Sequence, residues 1–118
     1  MDSEELLAQL NAFDHLQRLR IIEALEGGRV HVSELARRLG LSRPLLYMHL
    51  DRLEKANVVK SSLELGESGR AMKYFELEPF ELRLTVTEIA RAVRADQEKS
   101  VLETSQNDDS PNDKETPQ

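Results

Sequence analysis

The stretch LSRPLLYMHLDRLEKANVV, residues 41–59, decides how this chain folds. At 100° per residue, Leu46, Leu50 and Leu53 fall within about 40° of one another, which is the apolar stripe of a helix that packs on a core. Two other large apolar side chains, Leu45 and Met48, point away from that stripe. We therefore predict a helix over residues 43–56 whose outward face carries apolar side chains that the core does not need.

The residues at the two ends of this stretch fit helix termini. Ser42 can accept an amide hydrogen of the first turn, so it is the predicted N-cap. Pro44 falls in that first turn, where the amide it lacks would have had no partner inside the helix. Asn57 suits the left-handed residue that often follows a helix. The proline therefore starts the helix and does not break it.

A second, shorter helix is predicted just upstream. The β-prone residues 30–32 lead into it, Ser33 is its predicted N-cap, and Gly40 ends it with Leu41 folding back as the apolar contact of the cap. Its inward side chains are Leu35, Ala36 and Leu39. The two helices are thus joined by a tight turn that contains a glycine.

Two more helical patterns precede this pair. The first is capped by Ser3, and its apolar positions are Leu6, Leu7, Leu10 and Phe13. The second begins near His15 and is closed by Gly27 and Gly28, and its predicted core face is Leu16, Leu19, Ile22 and Leu25.

Downstream of residue 57 the apolar period changes from 3.6 to 2. VVKSSLEL and RAMKYFELE alternate on either side of GESG, which predicts a β-hairpin that turns at residues 66–69. PFELRLT, residues 79–85, alternates again and predicts a further strand. Thr85 then caps a last helix, with Glu88 completing a capping box. The apolar positions of that helix are Val86, Ile89, Ala90 and Val93, with a possible extension to Val101.

Composition bounds the class of protein. The 118 residues suit one compact domain, and no apolar run approaches the roughly 20 residues of a membrane span. The absence of cysteine excludes disulfides, thiolate metal sites and a cysteine nucleophile. We expect a cytoplasmic protein with one domain over residues 1–102. Residues 103–118 have no apolar side chain, so we expect a disordered acidic tail.

Charge is unevenly distributed along the chain. The formal net charge is −6, yet residues 29–60 carry a net +4, which leaves −10 for the remainder. A basic region within an acidic chain favours a local anion-binding face over general adhesion to nucleic acid. A pair of helices with solvated charges explains the same numbers, so charge alone leaves both interpretations open.

Two short helices, a glycine-containing turn and a hairpin describe a winged helix-turn-helix, mainly α with a small antiparallel β-hairpin. RLRIIEAL, VHVSELARRLGLS and SRPLLYMHLDRLEKANVV, which together extend over residues 18–60, resemble the ArsR-like (arsenical-repressor-like) transcriptional regulators. The third segment is similar to the family pattern S-Q-P-T-V-S-H-H-L-K-x-L-x-x-A-G-L-V. The general helix-turn-helix signal is shared with sister groups such as the MarR-like regulators.

The resemblance implies a homodimeric transcription regulator, a repressor by expectation, that binds double-stranded DNA. The recognition helix, 43–56, would lie in the major groove and the wing, 58–78, on the adjacent backbone. The predicted DNA-contacting residues are Ser42, Arg43, Pro44, Leu45, Tyr47, Met48, Arg52, Arg70 and Lys73. Leucine and methionine fit this role because thymine methyls and sugar edges offer apolar surface.

The outer helices carry apolar stripes beyond what a central domain requires, and we expect them to form the dimer interface. The predicted interface residues are Leu6, Leu10, Phe13, Ile89, Ala90 and Val93. No membrane partner is expected, and the sequence does not identify an effector.

Several alternatives compete with this interpretation. Metal-sensing ArsR-like proteins carry C-x-C before the short helix, where this chain has His31 and Ser33, so that sensing chemistry is not expected. His15, His31 and His49 lack paired spacing, so we predict neither a metal nor another cofactor. The sequence contains no phosphate-binding loop and no nucleophile–base arrangement, so we do not expect an enzyme. A winged helix can also dock a protein through Leu45, Tyr47 and Met48, and the sequence leaves this alternative open.

Overall fold

The computed structural model describes residues 1–106, within which the chain forms five helices and three strands. Their order is α1 Ser3–Ala12, α2 Leu16–Ala24, β1 Val30–His31, α3 Val32–Leu39, α4 Arg43–Lys55, β2 Val59–Leu65, β3 Ala71–Leu77 and α5 Val86–Gln106. The described residues divide into two compact units, one of residues 7–82 and the other of residues 1–6 and 83–106. Within the described residues, no helix is both long and apolar enough to span a membrane.

The core of the first unit lies where α2, α3 and α4 meet the sheet. Leu46, Leu50 and Leu53 of α4 are fully buried, which confirms the predicted stripe. Leu35, Ala36 and Leu39 of α3 are buried as predicted, and Phe75 of β3 closes the core on the side of the sheet. Burial of such a leucine side chain stabilises the fold by about 1.5–3 kcal/mol. Burial of this leucine stripe therefore determines which side chains of α4 face outward.

The turn between α3 and α4 follows the predicted chemistry. Gly40 adopts a left-handed conformation with φ 67°, and the N–H of Leu41 donates to the carbonyl of Ala36 at 3.1 Å. The hydroxyl of Ser42 then accepts the N–H of Leu45 at 3.3 Å, with Pro44 in the first turn. Asn57, at φ 61°, is left-handed after α4. These predicted caps are confirmed.

The sheet is antiparallel with strand order β1-β3-β2. The predicted hairpin is confirmed by β2 and β3, which pair from Val59 with Leu77 to Leu65 with Ala71. The carboxylate of Glu54 accepts a hydrogen bond from the Ser61 hydroxyl at 3.2 Å, which ties β2 to α4. β1 is the third strand and supplies the other neighbour of β3.

In the second unit, the carboxylate of Asp96 on α5 accepts hydrogen bonds from both the amide and the hydroxyl of Ser3. Lys99 lies 3.3 Å from the carboxylate of Asp2. Thr85 accepts the N–H of Glu88 at 3.1 Å, which confirms the predicted cap of α5. α5 extends to Gln106, four residues beyond the predicted boundary at 102, and the rest of the predicted tail lies outside the described residues.

Two predicted N-caps are wrong. In α1 the cap is Asp2, whose carboxylate accepts the N–H of Glu5 while the carboxylate of Glu5 accepts the N–H of Asp2, so Ser3 lies inside the helix. This contact with the Glu5 amide holds the pKa of Asp2 below its ordinary value. In α3 the cap is His31, whose Nδ1 accepts the N–H of Glu34, so Ser33 is also inside its helix.

The predicted core face of α2 is confirmed at Leu25, and Ile22 is partly buried against the core, but the prediction is wrong at Leu16 and Leu19. The strand predicted over residues 79–85 is wrong as well. Leu16 and Leu19 are 68% and 47% exposed, because the face turned inward is that of Arg18, Ile21 and Leu25. Residues 79–85 form no strand. Their alternation reflects a different contact, since the Phe80 ring stacks on Phe13 with 5.4 Å between centroids.

Candidate nucleic-acid interface

The outward face of α4 keeps the apolar side chains that its sequence predicted. Leu45 is 40% exposed, Met48 is 48% exposed and Tyr47 is 36% exposed. Pro44 and Arg52 are also exposed on this helix. The buried leucine stripe fixes the rotation of α4, so these side chains cannot turn inward without emptying the core.

A groove of about 560 Å³ lies between the first half of α4, the start of α3 and the hairpin. We call it the wing groove. Its lining residues are His31, Val32, Ser33, Arg43, Tyr47, Leu63, Ser68, Arg70, Ala71, Met72 and Lys73. Arg43 donates a hydrogen bond to the Ser33 hydroxyl, which places its guanidinium at the α3 side of the groove. Four of the predicted DNA-contacting residues thus meet here.

Tyr47 and Lys73 connect the recognition helix with the wing. The Lys73 ammonium lies 5.4 Å from the centroid of the Tyr47 ring and 5.5 Å from that of Phe75. The two rings meet edge to face at 6.3 Å. An ammonium within about 6 Å of a ring face is attracted by the ring quadrupole. Tyr47 therefore holds the hairpin against α4, a role that the sequence pattern did not indicate.

Met48 and Arg52 lie on another side of α4. Together with Asp51 and Lys55 they line a cleft of about 330 Å³ whose other wall is Ala8 and Asn11 of the first helix. The predicted DNA-contacting residues are therefore divided. One group faces the wing groove, and the other faces the cleft beside α1.

Several basic side chains near the candidate interface are already held in ion pairs. Lys55 pairs with Asp51 at 3.0 Å, and Lys60 pairs with Glu78 at 3.8 Å. In α3, Glu34 accepts from both Arg37 and Arg38, which lowers its pKa to about 2. Arg29 pairs with Glu64 across the sheet and lies 4.3 Å from the centroid of the Tyr74 ring.

Four cations of α4 and the hairpin take part in no ion pair within the described residues, namely Arg43, Arg52, Arg70 and Lys73. The DNA contacts predicted from the sequence include these same four cations. Arg43, Arg70 and Lys73 line the wing groove and Arg52 lines the cleft with Met48, so the exposed sides of α4 offer both positive charge and apolar area. Such a surface suits a polyanion that also presents apolar groups.

His49 lies on the inward side of α4 and is 1% exposed. Its Nδ1 accepts a hydrogen bond from Nε of Arg18 at 3.1 Å. The pKa of His49 is lowered, first by burial and then by the neighbouring His15 and Arg18. The sequence predicted packing or hydrogen bonding for His49, which is confirmed, but Arg18 was missed because its type suggests a solvated face.

The residues predicted for a dimer interface differ in exposure. Leu6 is buried, whereas its neighbour Leu7 is exposed. Leu10 and Phe13 are half-buried, and Phe13 is engaged with Phe80. On α5, Ile89 and Val93 are exposed and Ala90 is half-buried. Within residues 1–101, whose side chains are described, no three His, Asp or Glu side chains form a group that could hold a metal ion.

A three-helix core with a helix-turn-helix and an adjoining hairpin defines a winged helix-turn-helix protein, which confirms the predicted fold class. The family model described as bacterial regulatory protein, arsR family, matches residues 16–61, which confirms the predicted resemblance. An uncharacterised HTH-type transcriptional regulator of Methanocaldococcus jannaschii is 40% identical over 63 residues. That alignment covers 53% of this chain and 65% of the relative's length.

Solved structures agree with the fold. NolR from Sinorhizobium fredii is similar with a TM-score of 0.55 and 26% identity, over 65% of this chain and 72% of NolR. HlyU from Vibrio cholerae is similar with a TM-score of 0.53 and 24% identity, over 76% of this chain and 86% of HlyU. The likeness to HlyU concerns the fold alone.

Proposed function

We propose that this protein is a sequence-specific, double-stranded-DNA-binding transcription regulator, a repressor that acts in the cytoplasm as a homodimer. The observation that carries the proposal is the set of four cations, Arg43, Arg52, Arg70 and Lys73, that form no ion pair within residues 1–106, together with the exposed apolar side chains Leu45 and Met48 of α4. The family resemblance supports it, because the ArsR family consists of transcriptional regulators.

Each part of the surface has a distinct task in this proposal. The first half of α4 enters the major groove, where Leu45 and Met48 contact thymine methyls and sugar edges and Arg43 reaches a base edge or phosphate. Arg70, beside the hairpin turn, and Lys73, which lies over Tyr47, neutralise phosphates. Contacts to bases confer preference for a sequence, and contacts to phosphates confer affinity for any duplex.

Dimerisation follows from the limited reach of one winged helix. A single recognition helix reads only a few base pairs, whereas a two-fold dimer reads two half-sites about one helical turn apart. The exposed side chains of Leu7, Ile89 and Val93 supply apolar area for such an interface. The preferred site is therefore an imperfect palindrome.

The test is binding of the full chain to the duplex upstream of its own gene and to a scrambled duplex of the same composition. Wild type should prefer the promoter duplex. Leu45→Ala and Met48→Ala should each lose about 1–3 kcal/mol on that duplex and relax the preference at one or two base pairs. Leu65→Ala, which removes an exposed apolar side chain of the wing that does not line the wing groove, is the matched control and should retain the preference.

A protein-docking module is the second candidate function. The exposure of Leu45, Tyr47 and Met48 favours it, because exposed apolar side chains that cluster mark interaction surfaces. If wild type shows no preference for any promoter duplex and the Leu45 and Met48 variants lose a protein partner, this second function replaces the first.

A further inference from the structure

Arg18 is a buried cation to which no carboxylate of the described residues is paired. It is 8% exposed, and within the described residues it takes part in no ion pair. Its Nε donates to Nδ1 of His49 at 3.1 Å, and its terminal nitrogen donates to the main-chain carbonyl of Asn11. Burial of a charge is costly unless hydrogen bonds compensate it, so these two contacts determine where α2 lies against α4 and the end of α1.

The bond requires a neutral imidazole. His49 accepts through Nδ1, so the ring proton must be on Nε2, and a protonated imidazole would have no lone pair to offer to Arg18. The charged and titratable groups that act on His49 are both from α2 and its cap, namely Arg18 and His15, whose ring centroid lies 4.4 Å from that of His49. Within the described residues, α3 and β2, which also pack on α4, add no carboxylate to that set.

A proton on His49 would therefore meet a permanent positive charge and a second imidazole with no anion to balance them. It would also remove the acceptor of a buried guanidinium. Both effects act on the recognition helix itself, since His49 is adjacent to Met48 and three residues before Arg52.

We propose that Arg18 and neutral His49 are positioning residues that fix where the recognition helix, α4, packs against α1 and α2. Protonation of His49 weakens this packing and with it DNA binding. The part that concerns DNA rests on the proposed function. The part that concerns the packing of α4 against α1 and α2 is independent of DNA.

The direction of the pH effect follows from linkage. Because the pKa of folded His49 is lowered, the unfolded chain takes up the proton first, and the contribution of His49 to stability is complete above the ordinary value of 6.5. As pH falls from 6.5 toward the lowered folded value, this contribution is lost. The folding equilibrium can change by at most about a factor of ten for each unit of pKa difference.

His49→Asn is the central variant, because an asparagine Oδ1 takes the place of Nδ1 as acceptor but does not titrate. His31→Asn is the matched control. His31 also accepts an amide hydrogen through Nδ1, at the start of α3, but has no guanidinium partner among the described residues. Arg18→Lys keeps the charge and loses the Nε donor, so it should raise the pKa of His49 toward the ordinary value.

Three measurements are made on the full chain between pH 7.5 and 5, namely the NMR titration of the His49 ring, urea unfolding, and affinity for the promoter duplex. We expect His49 to titrate below 6.5. Wild type and His31→Asn should lose stability more steeply with falling pH than His49→Asn does, and wild type should also lose affinity more steeply than His49→Asn. His31→Asn is a control for stability only, because His31 lines the wing groove. Titration of His49 at or above 6.5, or parallel pH profiles of wild type and His49→Asn, would overturn the proposal.

The outcomes separate the two claims. If wild type binds no duplex at any pH, the proposed function is wrong. The NMR and urea data still show whether Arg18 and His49 fix the packing of α4. If His49→Asn does not fold, the His49 titration in wild type and Arg18→Lys decides alone. Equal titration of His49 in those two proteins would then contradict the role of Arg18.

Discussion

At the residue scale, the sequence predicted caps where the backbone itself requires a particular side chain. Gly40 and Asn57 were found because both adopt left-handed conformations that few other residues accept. Ser3 and Ser33 were wrong because a better acceptor precedes each of them, Asp2 in one case and His31 in the other. Competition between neighbouring caps is decided by where the helix begins, which the local sequence does not show.

Gly40→Ala tests the turn between α3 and α4. No atom lies within 4 Å of the position of the added Cβ, so the cost is purely the left-handed conformation at φ 67°, and we expect a loss of about 1–2 kcal/mol in the free energy of unfolding. Gly27→Ala is the control, since it has equal space and no positive φ, and it should be neutral or slightly stabilising. Urea unfolding of both variants measures the difference. Equal effects of the two substitutions would contradict the assigned turn.

At the level of the elements, α4 was predictable because its buried stripe is regular, whereas the predicted core face of α2 was wrong at Leu16 and Leu19. An arginine occupies a core position of α2 and leucines occupy exposed ones, and the pattern cannot show that Arg18 finds buried partners. The contact between Tyr47 and Lys73 was not predictable for a similar reason, since it joins a helix and a strand far apart in sequence. Hydrophobic patterning thus predicted the elements, and tertiary contacts determined which side chains remained available.

The Glu34 ion pairs of α3 give this element a pH dependence. The pKa of Glu34 is lowered from 4.5 to about 2 by hydrogen bonds from Arg37 and Arg38, so its stabilising contribution is present above pH 4.5 and is lost as pH falls toward 2. Glu34→Gln should therefore melt at a lower temperature than wild type above pH 4.5, and this difference in melting temperature should shrink as pH falls toward 2. Glu67→Gln, on the exposed hairpin turn, is the control. Thermal unfolding between pH 6 and 2 measures the effect. A difference in melting temperature between wild type and Glu34→Gln that does not change with pH would contradict these ion pairs.

For the whole molecule, the proposed homodimer would form through the exposed apolar positions of the outer helices. A homodimer through these positions should have twice the 13.5 kDa mass of the chain in light scattering at tens of micromolar. Ile89→Glu should reduce that mass to the monomer's, because it places a charge in the interface. Thr87→Glu, about 160° around α5 from Ile89, should leave the dimer intact. A monomeric wild type would rule out the proposed assembly.

In the proposed function, the cations of α4 and the hairpin that form no ion pair within the described part of the chain bind the phosphates of duplex DNA. The measurement is the slope of log affinity against log salt for wild type, Arg70→Ala and Lys60→Ala on the promoter duplex. Arg70 has no ion pair within the described residues, so its loss should reduce the slope by about one unit, whereas Lys60 already pairs with Glu78 and its loss should change the slope little. A wild-type affinity that does not depend on salt, or an Arg70→Ala slope equal to that of wild type, would contradict the claim.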